Sequence, residues 1–210
     1  MIPNGVRLET LVVPAETRAR VRRELEIHDE FAWLTAGRLM WKKDHATMLQ
    51  AMARQPAGIL FIAGEGPLEK ELRAQAETLG ARVRFLGLRE DIPDLMSACD
   101  GFVMSSVVEG LPMALIEAAM AGLPAVATDA GGVREVIRDG ETGFVVPARD
   151  AEVLGEAMRR LAGMPAEARG EMGSTARRNA IERFSLSEAA TRSEALYRTC
   201  LREAERQLLP

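Results

Sequence analysis

Cysteine and histidine are scarce in this chain: of 210 residues, two are Cys and two are His. Cys99 and Cys200 cannot make a disulfide scaffold and read as ordinary buried thiols in a reducing cytoplasm. His28 and His45 form no Cys/His spacing that resembles a zinc site. An excess of one charge is lacking as well. The 27 Lys and Arg against 31 Asp and Glu leave a net −4, with a pI of about 5.4. That balance excludes a generic nucleic-acid or membrane-coating surface and leaves room only for a local basic pocket. No long hydrophobic run exists. The most apolar stretch, 111–128, is broken by Glu117, Gly122 and two prolines, whereas a membrane span needs about 20 apolar residues. The first residues lack a basic region followed by an apolar one, so no signal peptide is expected. Neither G-x-S-x-G nor H-E-x-x-H occurs, which removes support for hydrolase and metalloprotease readings. No low-complexity segment or internal repeat is present.

What is present is an ordinary globular balance, 47% apolar and 28% charged, in a length that suits one large domain or two small ones. Short apolar runs at 31–36, 59–63, 83–86, 101–104, 125–127 and 143–146 are unbroken by charge except at Arg84. They read as parallel strands buried on both faces. Helical patterns lie between them at 45–54, 68–79, 91–98, 111–121 and 132–137. The alternation predicts a doubly wound α/β domain. From about residue 150 the chain reads as helical. Val153, Leu154, Ala157, Met158 and Leu161 make one stripe, and Leu196, Tyr197, Cys200 and Leu201 make another. Phe184-Ser185-Leu186-Ser187 reads as a break before the last helix, with Ser187 as its N-cap.

Two segments that follow strands carry the chemistry. In 105–117 a helix start offers free N–H groups and a positive dipole end, which suit a phosphate. Pro112 fits the first helical turn and leaves Met113 and Ala114 as donors there. Glu117 lies roughly 9 Å further along the helix axis, where a carboxylate can accept from the two vicinal hydroxyls of a ribose. The bland alternative makes Glu109 a helix cap and Glu117 a solvated residue. In 36–44, Arg38 and Lys43 flank a short loop at the same sheet edge, and a guanidinium with an ammonium suits a pyrophosphate. Lys42 reads as surface. Gly64-Glu65-Gly66-Pro67 is not a dinucleotide fingerprint, because Glu69 stands where the third glycine would be; it reads as a tight turn with Pro67 at the first helical position. Gly131-Gly132 reads as a turn that can also approach a ligand. Arg18, Arg20, Arg22 and Arg23, among Glu16, Glu24 and Glu26, read as a solvated face. His45, at a helix start without a nucleophile beside it, is a weak catalytic candidate.

Taken in order, these motifs resemble the retaining glycosyltransferases of the GT-B fold, family 4. The resemblance rests on Ile2-Pro3-Asn4-Gly5-Val6, Gly37-Arg38-Leu39 with Lys43, Gly64-Glu65-Gly66-Pro67, Phe85-Leu86-Gly87, and Glu109 followed eight residues on by Glu117. The run 127–135 and Asp139-Gly140-Glu141-Thr142-Gly143 extend it, so that it spans residues 2–184. In that family the first of these segments follows the linker after an N-terminal Rossmann-like domain. The resemblance therefore implies the Rossmann-like, nucleotide-sugar-binding half of a GT-B enzyme at 1–185. Residues 186–210 would form a helix crossing back to a missing N-terminal acceptor domain.

The resemblance also implies roles. Arg38 and Lys43 would hold the donor diphosphate, and Glu109 with the backbone of Gly110 and Leu111 would face the transferred sugar. Glu117 would bind the ribose, and the backbone of Leu88 and Arg89 the base. Pro112 and Asp44 stand where the family more often has glycine. The donor implied is a nucleoside diphosphate sugar, on family frequency a UDP-sugar. No metal or other cofactor is implied where two cations neutralise the pyrophosphate. The expected reaction is retaining hexosyl transfer to an acceptor hydroxyl in polysaccharide or glycoconjugate synthesis. It would be cytoplasmic, with peripheral membrane association of the full-length enzyme and an inactive isolated chain. A non-catalytic nucleotide-binding module working through a partner chain is the alternative. A GT-B epimerase is the third reading, and it lacks the acid/base groups it would need.

Overall fold

The apolar runs become strands and the amphipathic runs become helices, alternating as far as residue 146. The computed structural model describes residues 5–208; Ile2, Pro3 and Asn4 of the first family motif lie outside the described residues. A 3-10 turn at Leu8–Leu11 is followed by α1 (Thr17–Glu24), β1 (Ala32–Ala36), a second 3-10 turn (Trp41–Lys43), α2 (His45–Ala53), β2 (Ile59–Ala63), α3 (Glu69–Leu79) and β3 (Val83–Gly87). Then come α4 (Ile92–Ala98), β4 (Gly101–Met104), α5 (Met113–Ala121), β5 (Ala125–Thr128), α6 (Val133–Val136) and β6 (Gly143–Val146). Three helices finish the chain: α7 (Ala151–Ala162), α8 (Ala166–Phe184) and α9 (Leu186–Leu208).

The six strands form one all-parallel sheet in the order β3-β2-β1-β4-β5-β6. This is the doubly wound arrangement expected. Because side chains alternate along a strand, neighbouring residues enter different cores. Ala32, Leu34, Phe61, Phe102, Ala125 and Ala127 pack with α1, α4, α5, α6 and α8. Trp33, Leu60, Ile62, Val103 and Val126 pack with α2, α3 and α7. Full burial of each large apolar side chain is worth about 1.5–3 kcal/mol, so both faces of the sheet are closed from within the chain. The strand order reverses between β1 and β4. Loops leaving those strands diverge and open a crevice at the carboxyl ends of the sheet.

Several boundaries differ from the sequence pattern. β1 starts at Ala32 rather than Phe31, β3 runs on to Gly87 and β5 to Thr128. α5 starts at Met113, because Pro112 is extended (ψ 99°) and serves as its N-cap. Pro67 lies in the turn ahead of α3 rather than at its first position, Leu68 being the N-cap. Ser185, not Ser187, caps α9: its Oγ accepts from the Glu188 N–H at 3.3 Å. Cys99 is buried, which pushes its thiol up to about 12, whereas Cys200 is exposed.

The basic run on α1 is exposed as expected, but three of its arginines also bind α4 and the residues after it. Arg18 donates to the Ser97 and Cys99 carbonyls and to Asp100, Arg22 to the Ala98 carbonyl and Asp100, and Arg20 to Asp94. These guanidiniums cover the last carbonyls of α4, where unpaired acceptors and the helix dipole favour cations. Arg18, Arg20 and Arg23 are nonetheless exposed, and only Arg22 is half-buried. In the tail, α7 buries Leu154, Met158 and Leu161 as its stripe predicts. On α9 every residue from 194 to 202 is exposed, including Leu196 (52%), Tyr197 (70%) and Leu201 (64%). Among the described residues no helix is long and apolar enough to cross a membrane.

Candidate functional site

The floor of the crevice is backbone laid on backbone. Gly37 N–H donates to the Ala63 carbonyl (2.9 Å), Leu39 N–H to Glu65 (2.9 Å), Leu68 N–H to Leu39 (3.2 Å) and Gly64 N–H to Gly87 (2.7 Å). A Cβ at Gly64 would stand 2.0 Å from the Gly37 oxygen, and one at Gly66 would stand 2.3 Å from the Leu39 oxygen. The Gly64-Glu65-Gly66 turn therefore serves to let the exits of β1 and β2 cross in contact. Gly131-Gly132 does the same further along the sheet. Added Cβ atoms there would strike the Glu109 and Gly110 carbonyls, and Gly132 N–H donates to Gly110 O at 2.7 Å. Gly131-Gly132 is thus a turn packed against the loop before α5.

Above this floor lies a cleft of about 530 Å³, within the usual size range of small-molecule sites. Its walls bring together Arg38 from the β1 exit, Glu65 from the β2 exit, Leu88 and Arg89 from the β3 exit, Ile92 of α4, and Met113, Ala114 and Glu117 of α5. Six residues singled out from the sequence thus meet in one cavity. Arg89 is neutralised by Asp91, to which it donates at 2.7 and 2.5 Å; that contact holds the Asp91 carboxyl below its ordinary range. Arg38 is the cleft-lining cation that has no carboxylate partner among the described residues. Glu117 is half-buried, and burial raises its carboxyl above the ordinary value. It sits four residues into α5, about 6 Å along the axis. The longer spacing read from the sequence shortens because Leu111 and Pro112 precede the helix. Glu117 is therefore neither fully solvated nor paired. The N–H groups of Gly110, Leu111, Met113 and Ala114 have no acceptor among the described residues.

Lys43 and Glu109 stand beside the cleft rather than in its wall. Their side chains meet at 2.6 Å, and the Lys43 amine lies 3.9 Å from the position of a Cβ on cleft-lining Gly37. The loop after β4 makes this meeting. Ser105 Oγ donates to the carbonyls of Lys43 (2.9 Å) and Asp44 (2.8 Å), and Val107 N–H donates to Lys42 O (2.8 Å). Ser106 Oγ donates to Glu109 at 2.6 Å, so Glu109 holds Lys43 and Ser106 instead of capping α5. Thr128 Oγ1 donates to the Ser106 carbonyl at 2.6 Å. Ser105, Ser106, Thr128 and Glu65, whose carboxylate accepts from the Leu88 N–H at 3.3 Å, have no role in the sequence reading. The available signal is two hydroxyls at the end of an all-apolar strand, a place where an unpaired polar group would be costly.

Asp44 takes a left-handed conformation (φ 45°) and caps α2, its Oδ2 accepting from Thr47 Oγ1 at 2.7 Å. Glycine suits that backbone, and aspartate offsets the strain by the cap. His45 follows it, 3% exposed, with its buried Nδ1 unpartnered. Burial first, and then the Lys43 charge, lower its pKa to about 4. It faces no nucleophile in the described hydrogen-bond network. Exposed Lys42 lies 5.8 Å above the Trp41 ring. Among the described residues no group of three His, Cys, Asp or Glu is placed to hold a metal ion.

Comparison with known proteins gives this arrangement its relatives. The model of the family described as Glycosyl transferases group 1 matches residues 17–179. The lipopolysaccharide core biosynthesis glycosyltransferase LpsE of Rhizobium meliloti is 35% identical over 130 residues, 61% of this chain and 38% of that protein. Anabaena Alr3699/HepE, solved in complex with UDP and glucose, superposes with a TM-score of 0.86 at 27% identity, over 93% of this chain and 56% of that one. The C-terminal domain of a glycosyl transferase group 1 family protein (LpcC) from Francisella tularensis shares the fold at 21% identity. Its TM-score is 0.75, over 87% of this chain and all of that one. The chain spans about two fifths of the length of curated relatives it matches.

Proposed function

The chain belongs to the glycosyl transferases group 1 family, and from that premise we propose that it is the donor-binding half of a retaining glycosyltransferase. The observation that carries this reading is the order of groups along one cleft: unpaired Arg38, the free N–H groups of Met113 and Ala114 at the start of α5, and Glu117 one turn into that helix. A nucleoside diphosphate laid along α5 matches them in sequence. Its phosphates meet Arg38 and the helix start, its ribose hydroxyls meet Glu117, and its base lies by Leu88 and the Arg89 backbone. The Leu88 N–H is engaged by Glu65, so base recognition falls to the remaining backbone groups of 88–89. UDP is the favoured nucleotide, since HepE is solved with UDP and glucose in a site of the same fold.

In the reaction, the bond between the anomeric carbon and the diphosphate oxygen breaks, and the acceptor oxygen bonds to that carbon on the same face. The acceptor proton passes to the departing phosphate oxygen. Arg38, Lys43 and the N–H groups at the start of α5 stabilise the negative charge that grows on the diphosphate, a stabilisation larger in the transition state than in the ground state. Glu109 faces the sugar with Gly110 and Leu111. The acceptor wall comes from an N-terminal domain, and the exposed stripe of α9 is the surface that meets it. The complete enzyme works in the cytoplasm at the membrane periphery, on a polysaccharide or glycoconjugate acceptor.

Calorimetric titration of the chain with UDP, followed by transfer assays with and without a separately expressed N-terminal half, tests this reading. Binding of UDP and transfer only in the reconstituted pair are expected. Failure to bind any nucleoside diphosphate refutes it. Binding without transfer in the pair turns the reading to a nucleotide-binding module that acts through another chain.

A further inference from the structure

Glu109 and Lys43 have been given separate duties, one toward the sugar and the other toward the diphosphate, yet their charged ends are joined. Lys43 Nζ donates to Glu109 Oε1 at 2.6 Å, and Ser106 Oγ donates to that same oxygen at 2.6 Å. The Glu109 side chain is only 11% exposed. No hydrogen bond within the described residues reaches Oε2, so the carboxylate has one committed oxygen and one that remains available. Ser106 is itself fully buried, and its carbonyl is held by buried Thr128.

A diphosphate that engages Lys43 must draw the ammonium away from Glu109 or share it. Resting on the donor-site reading above, we propose that Glu109 and the donor's diphosphate compete for Lys43, and that this exchange readies Glu109 for the sugar. When Lys43 turns to the phosphate, Ser106 keeps Oε1 in place, so Glu109 is not released into the cleft as a loose carboxylate. What changes is its charge balance. Losing the ammonium makes Glu109 a stronger hydrogen-bond acceptor, because an ionised acceptor is strongest when no cation neutralises it. The phosphate thereby prepares the group that faces the sugar, and a ligand without phosphate leaves Glu109 paired. Ser106 is a positioning residue in this scheme.

The test uses the 210-residue chain with UDP and uridine as probes. Glu109→Gln retains an oxygen for Ser106 and for Lys43 but removes the competing charge. It is expected to tighten UDP binding about two- to fivefold, the range of a partly screened ion pair, and to leave uridine binding unchanged. A second readout separates exchange from simple removal of repulsion. The Glu109 carboxyl carbon signal, assigned by its loss in Glu109→Gln, should shift when UDP is added to the wild type and stay put with uridine. Unchanged or weaker UDP binding by the variant, or a carboxyl signal that UDP does not move, overturns the exchange while wild-type UDP binding still supports the donor site. If the wild type binds neither probe, the donor-site reading fails and this inference fails with it.

Discussion

Acid should weaken this protein in part through one buried imidazole. His45 occupies the first position of α2, where the positive end of the helix already disfavours a cation, and its Nδ1 is enclosed without a partner. Burial and then Lys43 lower its pKa from 6.5 to about 4. The unfolded chain therefore binds a proton at His45 below about pH 6.5, while the fold refuses one until about pH 4. For a base whose folded pKa is depressed, stability is fully present above the unfolded value and is lost as the pH falls toward the folded one. At about 1.4 kcal/mol per pH unit, that interval is worth up to ~3 kcal/mol, a large share of the roughly 5–15 kcal/mol that holds a domain together. Urea unfolding of the wild type and His45→Leu at pH 7 and near pH 4.5 measures it. Carboxylates titrate alike in both proteins, so the difference between the two losses isolates His45. The wild type should lose about 2–3 kcal/mol more than the variant on acidification. Parallel losses would show that the fold accepts the charged imidazole and would refute the reasoning.

At the cleft, Arg38→Ala should weaken UDP binding roughly ten- to hundredfold while sparing uridine. Lys43→Ala should cost less in UDP affinity, because the ammonium must first leave Glu109; equal losses for both variants by calorimetry would contradict that asymmetry. Glu117→Gln should weaken uridine and abolish a pH dependence in which binding by the wild type falls as Glu117 protonates, beginning above the ordinary carboxylate range; a pH profile shared by both proteins would argue against ribose contact. Asp44→Ala should destabilise the fold by about 1–2 kcal/mol through loss of the cap in a left-handed backbone, and Asp44→Gly by only a few tenths; thermal melts in which the glycine variant is the weaker would overturn the account. Sedimentation should show self-association of the chain through the α9 stripe, reversed by Leu196→Glu with Leu201→Glu. A monomer with strong hydrogen-exchange protection across 194–202 would show that the helix finds its cover elsewhere.

The fold was legible because its strands, the edge strand β3 apart, are largely buried on both faces. Runs such as 59–63 and 101–104 have no charge to blur their ends, and β2 and β4 fall on those bounds. Boundaries slipped where backbone and side chain disagree. Leu111 continues the apolar pattern of α5 although Pro112 is extended, and Ser187 has the chemistry of a cap while Ser185 has the geometry. Of the cleft residues, Arg38, Met113 and Ala114 were read from places just past a strand or at a helix start, Glu117 from its spacing along that helix, and Leu88 and Arg89 from the family resemblance alone. The Lys43–Glu109 contact was hidden, since it joins residues 66 apart through the hydrogen bonds of Ser105 and Val107 to the other loop. The contacts of the α1 arginines went unread for a similar reason: several of the partners are carbonyls of Ser97, Ala98 and Cys99, and a carbonyl has no letter in the sequence.

The crossing of the β1 and β2 exits at Gly64 and Gly66 divides the cleft into a part that can be altered and a part that cannot. Where two main chains touch at the distance of a missing methyl, there is no side chain to exchange for another, and any enlargement pushes apart the two strands that define the site. Remodelling what the cleft accepts is thus confined to its lip, at Leu88, Glu65, Ile92 and Met113, whose side chains can change size and polarity without disturbing the crossing. A programme to change what the cleft binds would leave the glycines alone and build its library at those four positions.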